Sequence, residues 1–186
     1  DGVQKHFSSP HEAIQEGISV IYQERQILLE LSVAENIYLG RMPSKKFGII
    51  DKAKANQMAQ KIIDDFGLPI SPTTKVKDLS IAYQQMVEIM KAYSRENLKV
   101  ICFDEPTASL SDAEIDSLFE IIAKLKAQGK IIIYVSHRMK EIQQIADKVA
   151  IFKDGHYVDT VITKEVPEQQ LIRMMVGRDL GDIFKN

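Results

Sequence analysis

The sequence predicts an α/β fold with a mainly parallel sheet flanked by helices, and three observations support this. Two short apolar runs, at 99–103 and 130–135, have the length and composition of buried strands, and the first suits a strand covered on both faces. A stretch of helical length and periodicity lies between them, so the two strands should be parallel and adjacent. The first run ends in two neighbouring carboxylates, Asp104 and Glu105, at the strand end where open α/β sheets bind ligands.

Composition limits the possible classes of protein. The 186 residues are 45% hydrophobic, enough to bury the core of one domain with room for a subdomain. A net charge of −2 gives no general electrostatic reason to bind nucleic acid. The single cysteine, Cys102, excludes a disulfide framework or a cysteine metal site, and we interpret it as a small buried hydrophobe.

Because no run could cross a bilayer and no signal peptide is evident, we expect a soluble, cytoplasmic protein. The chain starts at Asp1 without a methionine, which suggests an excised piece of a longer protein.

The first elements are a helix and a strand. Ser9 can cap a helix and Glu12 can complete its capping box, while Gly17 can end it. The run 18–22 has the character of a strand, and it places Gln23 at its end.

Further along, apolar spacing predicts a helix over 26–41, with a loop reaching Ile50. Asp51 can cap the next helix and Gly67 can stop it. Five residues at helical spacing predict that helix's core face: Ala55, Met58, Ala59, Ile62 and Phe66.

After a loop over 69–78, Ser80 can cap a helix that runs to Tyr93. The backbone N–H groups of a first helical turn form a natural phosphate site. A capping serine is common in helices without a ligand, so taken in isolation Ser80 is interpreted as a helix cap only.

The acid pair has two interpretations as well. Two adjacent carboxylates repel each other, and Mg²⁺ with a phosphate chain would relieve that repulsion. Asp104 could hold the metal while Glu105 polarises an attacking water. The alternative is a strand end followed by an ordinary Asp-Glu-Pro turn.

Beyond the acid pair, Ser111 and Glu114 form the pattern of a capping box, and Gly129 can end the helix that follows. The strand 130–135 then leads to His137, which should lie at the sheet edge that carries the acid pair. That position makes His137 a candidate for contact with a γ-phosphate.

The C-terminal part predicts a short helix around 139–145 and a β-hairpin of strands 148–153 and 156–162, joined by an Asp-Gly turn. Pro167 opens a last helix that Gly177 ends, and the tail after Arg178 has the character of a linker.

Four segments together resemble the motifs of an ABC-transporter ATPase, in the same order and with similar spacing. Gln23 is similar to the Q-loop glutamine, and the Leu79–Ser80 pair to the signature. The run 100–106 (VICFDEP) is similar to a Walker B motif with its catalytic glutamate, and 135–137 (VSH) to a switch histidine. The resemblance covers nearly the whole chain.

Finer segments resemble the monosaccharide-importer branch of that family, in which one polypeptide carries two ATPase halves. They are 9–14 (SPHEAI), 31–41 (LSVAENIYLGR), 85–89 (QMVEI) and 175–179 (MVGRD). Retention of Glu105 and a linker-like tail indicate the N-terminal half. The closing run 177–183 (GRDLGDI) is similar to arabinose-type members.

The resemblance implies a partial P-loop NTPase-like domain. Its ATPase core would comprise 1–23 and 95–178, its helical signature subdomain 24–94 and a linker tail 179–186. ATP and Mg²⁺ are the implied cofactors, with the metal near Asp104 and Gln23. Glu105 would activate water, and His137 would hold the γ-phosphate. The implied nucleotide contacts of the signature and D-loop are Leu79, Ser80, Ile81, Ala82, Tyr83, Ser109 and Ser111.

The implied partners are a second ATPase half in a head-to-tail sandwich, membrane permease subunits and, indirectly, a periplasmic or extracellular sugar-binding protein. No nucleic-acid partner is expected. The implied location is peripheral, at the cytoplasmic face of the cell membrane.

The chain departs from the family pattern in three places. Gly129-Lys130 is not a P-loop, because Lys124 stands where the first glycine belongs and Ile131 where Ser or Thr belongs. The family places its P-loop upstream, so the chain resembles a fragment cut after it. Alone it should bind little ATP, and micromolar affinity in a binding assay would refute this.

Ala82 and Tyr83 replace the usual signature glycine and glutamine, and the D-loop has serine where many relatives have aspartate.

Two other classes are compatible with the same motifs. A non-transport ABC ATPase of the translation or DNA-repair type should carry a basic stripe, whereas only Lys45-Lys46 and scattered lysines occur. Pull-down of a permease or of ribosomes would distinguish these. A catalytically degenerate scaffolding domain would fail to hydrolyse ATP in a single turnover.

Overall fold

The computed structural model describes residues 2–24 and 26–176, and the chain divides into two compact units, 1–135 and 136–186. The elements of the first unit are α1 (Pro10–Gln15), β1 (Ile18–Ile21), α2 (Val33–Ile37), α3 (Lys52–Phe66), α4 (Ile81–Tyr93), β2 (Val100–Asp104), α5 (Asp112–Ala127) and β3 (Ile131–Val135). Those of the second are α6 (Met139–Ile145), β4 (Lys148–Lys153), β5 (His156–Ile162) and α7 (Glu168–Val176). Across these described ranges, no helix is both long and apolar enough to cross a membrane.

The first unit is built on a three-stranded sheet in the order β1-β2-β3, with both neighbouring pairs parallel. Val100 pairs with Ile18 on one side and with Ile131 on the other. The crossover helix α5 packs on β3. The predicted strand–helix–strand unit is therefore confirmed, and it makes β2 the central strand.

Within the described part of the chain, one face of the sheet is well covered and the other is partly exposed, whereas the sequence predicts that β2 is covered on both faces. Ile101 and Phe103 are fully buried on the covered face. On the other face Val20, Ile131 and Ile133 are 40%, 61% and 50% exposed. Both faces of these strands are therefore apolar, which is the pattern of a parallel sheet that is covered on both faces.

Helix α3 begins and ends as predicted. The Asp51 carboxylate accepts a hydrogen bond from the Lys54 amide at 3.0 Å, and Gly67 ends the helix in the left-handed conformation at φ 68°. Four of its five predicted core residues are buried, whereas Met58 is only half-buried.

The N-terminal cap of helix α1 differs from the prediction in the partner of Glu12, which is Ser8. Ser9 accepts from the Glu12 amide as expected. The Glu12 carboxylate, however, accepts from the amide and hydroxyl of Ser8, both at 2.7 Å. These two bonds lower the pKa of Glu12, so the N-terminal cap uses both serines.

The predicted helix over 26–41 is wrong for most of its length, because only α2 is helical there. Ser32 and Glu35 form a capping box that starts the helix late. The fully buried Asn36 side chain holds the preceding loop: it accepts from the Leu28 amide at 2.8 Å and donates to the Leu28 carbonyl at 2.9 Å. A side chain thus supplies hydrogen bonds that a helix would have provided within its own backbone.

Replacing Asn36 with alanine is expected to lower the free energy of unfolding by about 1–3 kcal/mol, since the buried loop groups lose their partner. Urea unfolding would measure the loss. Gln60→Ala is the matched control, because the Gln60 amide bonds only to the exposed carboxylate of Asp64, and it should change stability by less than about 0.5 kcal/mol. Equal losses in the two variants would contradict the role given to Asn36.

Gly17 joins the start of the sheet at a point with no room for a side chain. Its carbonyl accepts from the amides of Lys99 and Val100, at 2.8 and 3.0 Å. Its φ is +97°, and a Cβ there would lie 2.2 Å from the Asn97 carbonyl oxygen. Glycine is therefore required for both its conformation and its size.

Gly17→Ala is expected to cost at least about 1 kcal/mol more than Gly67→Ala, because both positions have positive φ but only Gly17 would overlap the backbone. Thermal unfolding of the two variants side by side would test this. The interpretation fails if the Gly67 substitution is the more damaging of the two.

The second unit contains an antiparallel hairpin of β4 and β5, as predicted. Its turn residues Asp154 and Gly155 have φ of 48° and 77°, the values of a tight hairpin turn. Helix α7 packs on β4, and α6 packs on α7. The predicted helix end at Gly177 and the tail 179–186 lie outside the described residues.

Candidate functional site

The carboxyl ends of β1 and β2 lie at the same edge of the sheet. Ile21, the last residue of β1, pairs with Phe103, and Gln23 follows two residues later. Asp104 ends β2 beside Val135, the last residue of β3. The predicted edge site thus has Gln23 and the acid pair on neighbouring strand ends. His137 follows β3 by two residues and belongs to the second unit.

Glu105 has a strained backbone. Its φ of 44° is in the left-handed region, which residues other than glycine rarely adopt. The Glu105 amide donates to the Val135 carbonyl at 3.0 Å, and this bond holds it against the end of β3. Strain of this kind costs on the order of 1–3 kcal/mol and clusters at functional positions. No local sequence pattern indicates this strain, since the fold imposes the conformation.

Cys102 and Asp104 share the less covered face of β2, because side chains alternate along a strand. Cys102 is half-buried, which corrects the expectation that it is a buried core residue. Burial raises the pKa of its thiol, and the negative charge of Asp104 raises it further. The thiol therefore stays protonated at neutral pH and is a poor nucleophile.

The edge offers few ligands for a metal. Across the described parts of the chain, no group of three or more His, Cys, Asp or Glu side chains could hold a metal ion. Mg²⁺ is commonly bound by one or two carboxylates, with water and phosphate oxygens completing its shell. Asp104 and the amide oxygen of Gln23 fit that incomplete donor set, and their assignment to Mg²⁺ stays a prediction.

Ser80 caps α4 as predicted. Its hydroxyl accepts from the Tyr83 amide at 3.4 Å, and both Ser80 and Ile81 are exposed. Ala82 is 4% exposed, so its side chain is part of the packing, whereas half-buried Leu79 and Tyr83 border the exposed turn. This turn presents a helix N-terminus and a hydroxyl to solvent, features that suit an anionic ligand.

The two predicted D-loop serines differ in their surroundings. Ser111 donates from its amide and from its hydroxyl to the Glu114 carboxylate, both at 2.8 Å. These bonds lower the pKa of Glu114 and stabilise the start of α5. Ser109 is exposed in the loop before it. Ser111 therefore has a clear structural role, while Ser109 lies where a partner could reach it.

Sequence reasoning missed the buried charge on α4. Glu88 is 6% exposed, and its carboxylate accepts from the Gln26 amide. Lys91 donates to the Gln26 carbonyl at 3.2 Å, and burial lowers its pKa. The helix that begins at Ser80 thus holds the segment that follows Gln23. A charged residue inside the apolar run 86–90 was the available signal.

His137 is exposed at the start of the second unit, just before α6. Its neighbours Ser136 and Arg138 both contact Glu141, a buried carboxylate that the sequence did not single out.

The architecture is that of an ATP-binding cassette. The structure is similar to a nucleotide-free ATP-binding cassette from an ABC transporter, with a TM-score of 0.72 at 24% identity over 94% of this chain and 70% of that one. It is also similar to cbiO1 from Clostridium perfringens, part of the ABC transporter complex cbiONQ, with a TM-score of 0.71 at 20% identity over 94% and 69%. The predicted P-loop NTPase-like fold class is confirmed.

The chain belongs to the ABC transporter family, whose sequence model matches residues 2–108. It is 48% identical to the arabinose import ATP-binding protein AraG of Mannheimia succiniciproducens over 98% of its length. It is 47% identical to the protein of the same name from Escherichia coli strain 536, over 99%. The chain spans 36% of the length of each of these relatives. The predicted resemblance to the monosaccharide-importer branch is confirmed.

Proposed function

We propose that this chain is part of the ATP-hydrolysing subunit of an ABC importer that takes up a monosaccharide. The relatives named as arabinose import proteins make arabinose the first sugar to test. The observation that carries the proposal is the placement of Gln23, Asp104 and Glu105 at adjacent strand ends, with Glu105 in a strained conformation.

The reaction is hydrolysis of the β–γ phosphate bond of ATP. Asp104 and Gln23 would hold Mg²⁺, which supplies charge neutralisation on the phosphate oxygens when it is bound. Glu105 accepts a proton from the attacking water as general base. His137 donates a hydrogen bond to the γ-phosphate.

The signature residues act in a second site. Leu79, Ser80, Ile81, Ala82 and Tyr83, together with the D-loop serines, face the nucleotide held by a second ATPase half in a head-to-tail sandwich. The exposed helix N-terminus at Ser80 supports this role, because it attracts negative charge without an arginine.

The coupling partner is an integral-membrane permease, with a periplasmic or extracellular sugar-binding protein acting on its far side. The subunit works at the cytoplasmic face of the membrane. Closure of the ATP-bound sandwich would be transmitted to the permease through the region of Gln23. The hydrogen bonds that Glu88 and Lys91 make with Gln26 support this route, because they connect Gln26 to the signature helix. The proposed divisions are an ATPase core of 1–23 and 95–178 and a signature subdomain of 24–94.

The test is ATP hydrolysis by the full-length protein assembled with its permease and binding protein in vesicles. We expect Mg²⁺-dependent hydrolysis that arabinose stimulates, together with arabinose uptake. Ribose and galactose serve as controls for the sugar. Absence of hydrolysis in the assembled complex would refute the ATPase proposal, and stimulation by another sugar would refute arabinose as the substrate.

A further inference from the structure

Glu141 is a buried carboxylate to which the proposed reaction gives no part. It lies in the first turn of α6 and is 6% exposed. An ionised group is costly to bury unless charged and hydrogen-bonding partners compensate it. The partners of Glu141 therefore indicate what this side chain is for.

Two of those partners are the residues on either side of His137. One carboxylate oxygen of Glu141 accepts from the Ser136 hydroxyl at 3.1 Å, and the other accepts from the Arg138 guanidinium at 3.2 Å. The Ser136 hydroxyl in turn accepts from the Arg138 amide at 3.0 Å. Ser136, Arg138 and Glu141 therefore form a closed ring, which we call the Glu141 ring.

We propose that Glu141 is a positioning residue that fixes the backbone at His137 and so sets where the histidine meets the γ-phosphate. The inference rests on the proposed ATPase function. The ring joins the chain just before and just after His137, so it restricts the backbone torsions on both sides while leaving the imidazole exposed. Bonds to an ionised carboxylate are about twice as strong as neutral ones, which suits a fixed support.

Precision at this position matters because a reacting group displaced by about 1 Å can lose on the order of 100-fold in rate. An exposed histidine on an unsupported loop would sample many positions. The Glu141 ring provides the second layer of contacts that keeps a functional side chain in place.

The first test is amide hydrogen exchange in the full-length protein. In Glu141→Ala the Arg138 amide should exchange at least about tenfold faster, because its acceptor Ser136 loses its anchor. Glu168→Gln, an exposed carboxylate on α7, is the matched control and should leave that exchange rate unchanged. If Glu141→Ala folds with an unchanged Arg138 exchange rate, the ring does not hold this backbone and the proposal is overturned.

The second test is a double-mutant cycle in the full-length protein. Glu141→Ala should lower kcat for ATP hydrolysis by about 10–100-fold while changing KM by less than about threefold. Glu141→Gln should recover part of kcat, because an amide can still bond to Ser136. In a His137→Ala background the same substitution should have almost no further effect, since Glu141 acts through the histidine.

If the fold-losses in kcat from His137→Ala and Glu141→Ala multiply in the double variant, the two residues act independently and the proposal is overturned. If the wild-type protein fails to hydrolyse ATP, the proposed function fails instead. The exchange of the Arg138 amide still tests the ring in that case.

Discussion

Glu105→Gln is expected to lower the ATP-hydrolysis rate of the full-length protein by at least about 100-fold, the usual contribution of a general base. Glutamine keeps the size of the side chain but cannot accept the proton of the attacking water. Because the amide bond from Glu105 to the Val135 carbonyl is made by the backbone, the substitution should leave the end of β2 in place. Single-turnover hydrolysis would measure the loss, and equilibrium binding of ATP should be retained.

Glu96→Gln is the control for this variant, since Glu96 is an exposed carboxylate in the loop between α4 and β2. It should hydrolyse ATP at the wild-type rate. Unchanged turnover in Glu105→Gln would remove Glu105 from the chemistry. Loss of ATP binding in that variant would assign it to ligand binding instead.

Phe103→Ala is expected to have the largest effect on stability, about 3–5 kcal/mol of the free energy of unfolding. Phe103 is fully buried in the central strand, and its ring lies 6.2 Å from that of Tyr134 on β3. Alanine would leave a cavity beneath the middle of the sheet, one residue before Asp104. Chemical denaturation followed by circular dichroism would measure the change.

Phe47 offers a control with the same side chain in the opposite environment, since it is 96% exposed. Phe47→Ala should change stability by less than about 0.5 kcal/mol. Similar losses in the two phenylalanine variants would show that the covered face of the sheet is not the core on which the first unit depends.

Much of the fold was predictable because local signals agreed with the tertiary structure. Asp51 and Gly67 mark the two ends of α3, and the Asp154-Gly155 turn marks the hairpin. The strand–helix–strand pattern predicted the adjacency of β2 and β3, and with it the edge that carries Asp104. Each of these signals lies within a short stretch of sequence, and each indicates where a helix, turn or strand begins or ends.

The features that could not be predicted depend on side-chain contacts that the sequence alone does not show. The spacing of Leu28 and Leu31 imitates a helix, yet the buried Asn36 amide stabilises a loop there. Glu141 was missed because its significance lies in its partners Ser136 and Arg138.

The left-handed backbone at Glu105 has a consequence for how this protein tolerates change. Glycine would adopt that conformation without strain, so the residue that suits the chain best at this position is one that cannot perform the proposed chemistry. Selection for stability alone would favour replacing Glu105 with glycine. The proposed chemistry would therefore be retained at a cost of about 1–3 kcal/mol of backbone strain.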